Sequence, residues 1–208
     1  MMKRLFLIVA ALAAIIPSAY SQTADEIVDR MNQELKKGET LGTAITLDVH
    51  IPLLGEVSSR IKTLGDMSRA EMDVKGTKGI IWVVKDTTWT YTSKDNEIVI
   101  ESGKKKDSST NGEEMLDNIT EGYKVSIVKE TADSWQLRCD KLKSNKEKDD
   151  PAKMDLVVSK KNYLPVSLNA KVKGITMTLR DFSLGVSKKD VTFNPSAFPG
   201  VKITDKRQ

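Results

Sequence analysis

The pattern of apolar and polar positions changes period once near the start of the chain. From Thr23 to about Lys37, the apolar residues Ala24, Ile27, Val28, Met31 and Leu35 recur at helical spacing. Asp25, Asp29, Arg30, Gln33 and Lys36 fall elsewhere on the turn. Thr23, with Glu26 three residues on, makes a capping box. Gly38 is placed to end the helix. From Ile45 the period is two: Ile45, Leu47, Val49 and Ile51 alternate with Thr46, Asp48 and His50, as in a half-buried strand. Alternating runs at 57–64 and 67–74 flank Gly65-Asp66, a hairpin signal. A dense apolar run at 79–85 turns at Asp86-Thr87 into Trp89-Thr90-Tyr91, which turns at 94–96 into Ile98, Val99 and Ile100. Alternation resumes at Val125 and Ile127, at Trp135, Leu137 and Cys139, and at Met154, Leu156 and Val158. The turn Lys160-Lys161-Asn162 leads to Val166, Leu168, Ala170 and Val172, and Gly174 leads to Ile175, Met177 and Leu179.

Two further segments break the meander. Residues 102–112 are polar and read as a solvated loop. Residues 113–120 read as a short helix, with Met115, Leu116 and Ile119 on one side and Glu113 and Glu114 at its positive end. Together these elements predict a mainly β fold with some helix (α+β), in which one antiparallel sheet carries two helical segments. Most strands have one apolar face, and that face must be covered. Either a second sheet packs on it, or the sheet curls and the helices plug it. A curled sheet with helices over its mouth leaves room for an apolar cavity.

The first residues follow neither period. Lys3 and Arg4 precede an unbroken apolar run from Leu5 to Ile16, then Pro17 and the small residues Ser18, Ala19 and Ser21. That run is shorter than the roughly 20 residues a membrane-spanning helix needs. A charged start, a short apolar core and a small-x-small site describe an export signal, cut after Ser21. No cysteine stands after the cut to carry an acyl anchor, so the chain from Gln22 to residue 208 is expected to be one free domain in the periplasm. Losing Lys3 and Arg4 brings the formal net charge of +4 closer to zero, which makes no case for nucleic acid.

Catalytic signals are absent. The chain has no Gly-x-Ser-x-Gly elbow, no phosphate-binding loop and no dinucleotide-binding glycine motif. Its one cysteine, Cys139, and one histidine, His50, cannot build a metal cluster or an internal disulfide. Cys139 alternates with Trp135 and Leu137 and reads as a buried structural thiol. His50 falls on the polar side of its strand. Paired acids such as Glu113/Glu114 and Asp149/Asp150 lie in polar segments and make poor acid catalysts. The sequence therefore points to no enzyme, no cofactor and no metal. What remains is apolar: Met31, Met67, Met72, Met115, Met154 and Met177 follow the export signal, and methionine adapts to irregular apolar partners.

The end of the chain carries a pattern. Val191-Thr192-Phe193-Asn194-Pro195, then Phe198-Pro199-Gly200-Val201 and Asp205-Lys206-Arg207, resembles the close of the LolA-like periplasmic lipoprotein carriers. Trp82 to Tyr91, followed by Asn96-Glu97-Ile98, is similar to their hairpin ending in Trp-x-Tyr. The order of elements agrees as well. The resemblance implies an incomplete β-barrel with helices as a lid over an apolar cavity. It implies a carrier that takes acylated lipoproteins from an inner-membrane exporter and delivers them to an outer-membrane receptor, working as a monomer. Three acyl chains of about fifteen methylenes would cost roughly 36 kcal/mol to expose to water, as an upper bound. Such a cargo needs shielding. The expected lid residues are Ile27, Val28, Met31 and Leu35; the expected wall and plug residues are Ile45, Leu47, Val49, Trp89, Tyr91, Met115, Leu116 and Met177. The family's Arg-Pro pair, whose arginine helps hold the lid, is missing from the matching stretch Ile61-Lys62-Thr63-Leu64-Gly65, and Arg69 is no obvious substitute. Two other readings compete: a lipid-binding or envelope-stress sensing module on the same scaffold, and a hydrolase using His50.

Overall fold

The computed structural model describes residues 22–53, 55–103 and 119–207. The expected export signal, the lysine-rich loop and most of the expected second helix, with Met115 and Leu116, lie outside the described residues.

Helix α1 (Ala24–Lys36) starts at its capping box. Thr23 N–H donates to Glu26 Oε2 at 3.0 Å, and Glu26 N–H donates to Thr23 Oγ1 at 3.2 Å. The helix ends within a residue of the expected place, but Gly38 does not supply a left-handed cap there. Lys37 stays helical, and a further turn, α2 (Gly38–Leu41), follows before Gly42 takes φ +72°. Gly38 serves close approach instead, since a Cβ there would collide with Thr43 Oγ1. Gly42 supplies the left-handed backbone that ends the helical region.

Among the described residues twelve strands follow: β1 (Thr43–Ile51), β2 (Gly55–Leu64), β3 (Met67–Val74), β4 (Thr77–Val84), β5 (Thr87–Thr92), β6 (Glu97–Ser102), β7 (Tyr123–Glu130), β8 (Ser134–Lys141), β9 (Lys153–Ser159), β10 (Pro165–Val172), β11 (Ile175–Leu184) and β12 (Lys202–Asp205). They form one sheet in the order β12-β6-β5-β4-β3-β2-β1-β11-β10-β9-β8-β7. Two antiparallel meanders thus meet where β1 pairs β11. The sheet curls without closing, so the expected incomplete barrel is the observed architecture, and no second sheet is needed. β12, which sequence periodicity did not mark, adds in parallel to β6.

Register places the apolar residues in rows. Leu47, Leu179, Leu168, Leu156, Leu137 and Ile127 are direct partners across β1, β11, β10, β9, β8 and β7. The adjacent row is Val49, Met177, Ala170, Met154, Cys139 and Val125. Helix α1 lays Ile27, Val28 and Met31 on this inner face and buries them with much of both rows in one core.

The other half of the sheet is covered from the opposite side. Pairing from β1 to β6 runs without a register shift, so Ile45, Ile61, Ala70, Ile81, Thr90 and Val99 share the inner face. Trp82, Trp89 and Ile100 form a row on the outer face. The C-terminal segment returns over that row. Phe193 meets Trp82 edge-on at 5.3 Å and stacks on Trp89 at 5.9 Å, while Phe198 lies 5.0 Å from Tyr91 and 5.5 Å from Trp82. Trp82, Ile98, Ile100 and Val191 are buried as a result.

The short helix α3 (Lys188–Val191) pins this segment to the sheet. Asp190 accepts from Ser187 N–H at 3.0 Å and from Lys62 Nζ of β2 at 3.3 Å. The Ser187 hydrogen bonds, with help from Lys62, hold the Asp190 carboxyl down at about 2. A carboxyl lowered on folding adds stability above its unfolded value, and the gain is lost as pH falls through the folded one. Asp190→Asn is therefore expected to narrow the stability difference between about pH 5 and about pH 2, because the wild-type gain is lost across that window. Urea midpoints at the two pH values check this; an unaltered pH dependence contradicts it.

Candidate apolar binding site

The inner face is not fully covered by α1. Where the helix ends its contact, a pocket of about 300 Å³ opens on the sheet. That volume is at the lower end of the roughly 300–1,000 Å³ typical of small-molecule sites. Its floor follows from the two-residue period: Leu47, Leu168 and Leu179 come from one apolar row, and Met154, Ala170 and Met177 from the next. Ile119 and Tyr123 close one side. Glu121, Asp150 and Pro151 form the rim.

Polar chemistry is confined to that rim. The Tyr123 hydroxyl donates to Pro151 O at 3.0 Å. Burial, with the Asp150 charge adding to it, pushes the phenol up to about 12, so it remains a neutral donor at working pH. Asp150 Oδ2 in turn accepts from Asn145 Nδ2 at 2.7 Å. Among the described residues, no group of three His, Cys, Asp or Glu side chains could hold a metal ion. Cys139 is fully buried in the floor core, and desolvation pushes its thiol up to about 11, which leaves it unreactive. His50 is exposed on the outer face, away from the pocket. The arrangement can hold an apolar chain; among the described residues it brings together no nucleophile and base.

Helix α1 is anchored by a stack that the sequence did not reveal. Arg30 Nη1 donates to Tyr163 Oη at 3.1 Å, and its guanidinium lies 5.2 Å from the Tyr163 ring centre. The Tyr163 hydroxyl donates to Gln22 Oε1 at 3.2 Å, its ring lies 5.4 Å from Trp135, and Lys160 sits over that indole at 5.3 Å. Arg69 is on the other side of the sheet. It lies 5.4 Å from the Trp82 ring and pairs with Glu71 at 3.1 Å, so it has no contact with α1.

The residues expected at the site separate into groups. Leu47 and Met177 line the pocket, and Val49 is half-buried beside Met177 on the same face. Ile27, Val28, Met31 and Ile45 are closed into the core under the helix, with Leu35 packed at its edge. Trp89 and Tyr91, expected as walls, face outward against Phe193 and Phe198, because register puts them on the face opposite to Ile45 and Leu47. Met115 and Leu116 lie outside the described residues. Leu168, Ala170 and Tyr123 line the pocket without having been singled out, and Met154, noted only as one of six methionines, lines it too. Their alternation marked strands, but only cross-strand register shows which of them meet.

No protein-family model matches the chain, and no curated protein matches it by sequence. Solved structures do match. LprF from Mycobacterium bovis superposes with a TM-score of 0.52 at 10% identity, over 84% of this chain and 99% of that one. An uncharacterized conserved protein from Thermus thermophilus gives 0.45 at 15% identity, over 89% and 100%. A LolA superfamily protein from Nitrosomonas europaea gives 0.34 at 13% identity, over 83% and 99%. The LprF match shows a shared fold. The curled open sheet with a helix laid on its inner face is the architecture expected from the sequence.

Tyr163→Phe removes the acceptor of Arg30 and the donor to Gln22. The loss is expected to weaken α1 docking by about 0.5–1.5 kcal/mol, which speeds amide exchange in α1 by roughly two- to twelvefold. Hydrogen-exchange mass spectrometry of the α1 peptide reads this directly; exchange at the wild-type rate contradicts the anchoring role.

Proposed function

We propose that this protein is a periplasmic carrier that binds the acyl chains of lipoproteins on its inner face and moves them from the inner to the outer membrane. One observation carries the reading. Two apolar rows run beyond α1 into an open pocket whose polar groups stand only at its rim. A carrier of acyl chains needs an apolar wall and an opening, and it needs no reacting groups. The floor residues Met154 and Met177 give that wall a deformable surface, which favours release as well as capture. Residues 1–21 would direct export and be removed after Ser21, leaving a free monomeric domain. The chain would receive cargo from an inner-membrane exporter and pass it to an outer-membrane receptor.

Expression in a Gram-negative host, followed by purification, tests the reading. The account expects an acylated lipoprotein to co-purify and the protein to release such cargo from spheroplasts. Mass spectrometry of extracted lipid separates this from the competing reading: free lipid without linked protein would indicate a lipid-binding or sensing module. Met177→Asp places a carboxylate in the pocket floor and is expected to weaken binding of a fluorescent acyl probe by more than about tenfold. Trp89→Phe, on the outer face, is expected to leave probe affinity within about twofold of wild type. Equal effects from the two variants would overturn the assignment of the inner face.

A further inference from the structure

The turn between β9 and β10 holds a bulky residue in a backbone region that strains it. Tyr163 takes φ +56°, where a large side chain is an outlier that the surrounding contacts must hold in place. Three contacts do so. The Trp135 ring lies 5.4 Å away, the Arg30 guanidinium sits 5.2 Å from the ring centre, and Gln22 Oε1 accepts from the hydroxyl at 3.2 Å. The first comes from the sheet. The other two come from α1 and from the residue just ahead of its cap, so the strained turn grips the start of the helix.

The contact with Gln22 has a fixed polarity. Arg30 Nη1 donates to the Tyr163 hydroxyl at 3.1 Å, which turns the phenolic hydrogen toward Gln22, and the atom that meets it is the amide oxygen. Among the described residues this is the one hydrogen bond of the Gln22 side chain, and Nε2 takes no part in it. Gln22 is half-buried and directly follows Ser21, where the export signal is expected to be cut. A cut there leaves a new α-amine on Gln22, one residue ahead of the Thr23 cap. Its protonated form opposes the dipole of α1. A share of such amines is neutral, and so nucleophilic, near neutral pH.

We infer that Gln22 is a modification site, at which the side-chain amide closes on the new α-amine to a pyroglutamyl lactam whose carbonyl oxygen stays the acceptor of Tyr163. The inference rests on the reading that export removes residues 1–21; it does not need the carrier reading. The α-nitrogen attacks Cδ. The N–Cδ bond forms, the Cδ–Nε2 bond breaks, and Nε2 leaves as ammonia with the proton that the α-nitrogen gives up. No oxidant, reductant or second substrate is consumed. The step discards the atom that the fold does not use, keeps the one that Tyr163 holds, and removes the charge that opposes the dipole. It fastens the start of the helix that covers the inner face.

Mass spectrometry of the N-terminal peptide, on protein isolated from the envelope of its native cells, tests this. Free amines are blocked before digestion, so that closure during handling is not counted. The peptide is expected to start at Gln22 and, in most molecules, to lack one ammonia and carry no blocking group. A peptide that starts at Gln22 with an open, blocked amine would overturn the inference and leave the cut in place. A peptide that starts at another residue would overturn the cut, and the inference with it. Gln22→Ala cannot close and offers Tyr163 no acceptor. It is expected to speed amide exchange in α1 by roughly two- to fivefold. The effect is expected to be clearly smaller once Tyr163→Phe has removed the donor. No effect in the wild-type background, or an equal one in both, would overturn the link between the lactam and Tyr163.

Discussion

Strand alternation without slippage is the constraint from which the rest of this structure follows. From β1 to β6 every residue keeps a direct partner, so a side chain assigned to one face fixes the face of its neighbours across six strands. Leu47 and Val49 point inward, toward the side where α1 packs. Trp82, Trp89 and Tyr91 must then point outward. A sheet with large apolar residues on opposite faces in its two halves needs two separate covers. The amphipathic helix at the start of the chain supplies one, and the phenylalanines near its end supply the other. The Lys62–Asp190 pair and β12 fasten the second cover to the sheet.

This division leaves the inner face free to work. Because the aromatic cluster is closed from outside, it takes no part in the pocket, whose floor is aliphatic and methionine-rich. Helix α1 uses three residues to seal the core and is held at its polar side by Arg30 on Tyr163. The seal is strong where Ile27 and Met31 meet the leucine row, and it stops short of Met177. An apolar surface that is walled but not filled is suited to a ligand that must enter and leave.

Much of this was legible in the sequence, and the remainder was hidden for physical reasons. The capping box at Thr23 and the 3.6-residue stripe placed α1 to within a residue. Period-two runs located most of the strands; they left open whether the sheet curls or packs on a second one, and the resemblance at Trp82–Tyr91 and near the end of the chain implied the curl. The face of Trp89 was not legible, because the run from Gly79 to Lys85 is apolar on both sides: Ile80 and Trp82 face out while Ile81 and Val83 face in. With no polar partner positions, the period carries no phase. Gly38 looked like a helix end, yet it is needed for contact with Thr43, and Gly42 has the left-handed backbone. β12 is too short, and too charged at both ends, to show a period. Tyr163 sits in a turn whose sequence signals only the turn, and its contact with Arg30 spans 133 positions.

The central claim is that acyl chains lie on the inner face over β1, β10 and β11. Photocrosslinking with a light-activated fatty acyl probe, followed by peptide mass spectrometry, tests it most directly. The account predicts labelling of the peptides that carry Leu47, Ala170 and Met177, and none on the peptide that carries Trp89 and Tyr91. Labelling concentrated on the Trp89–Tyr91 strand or on Phe193 and Phe198 would contradict it.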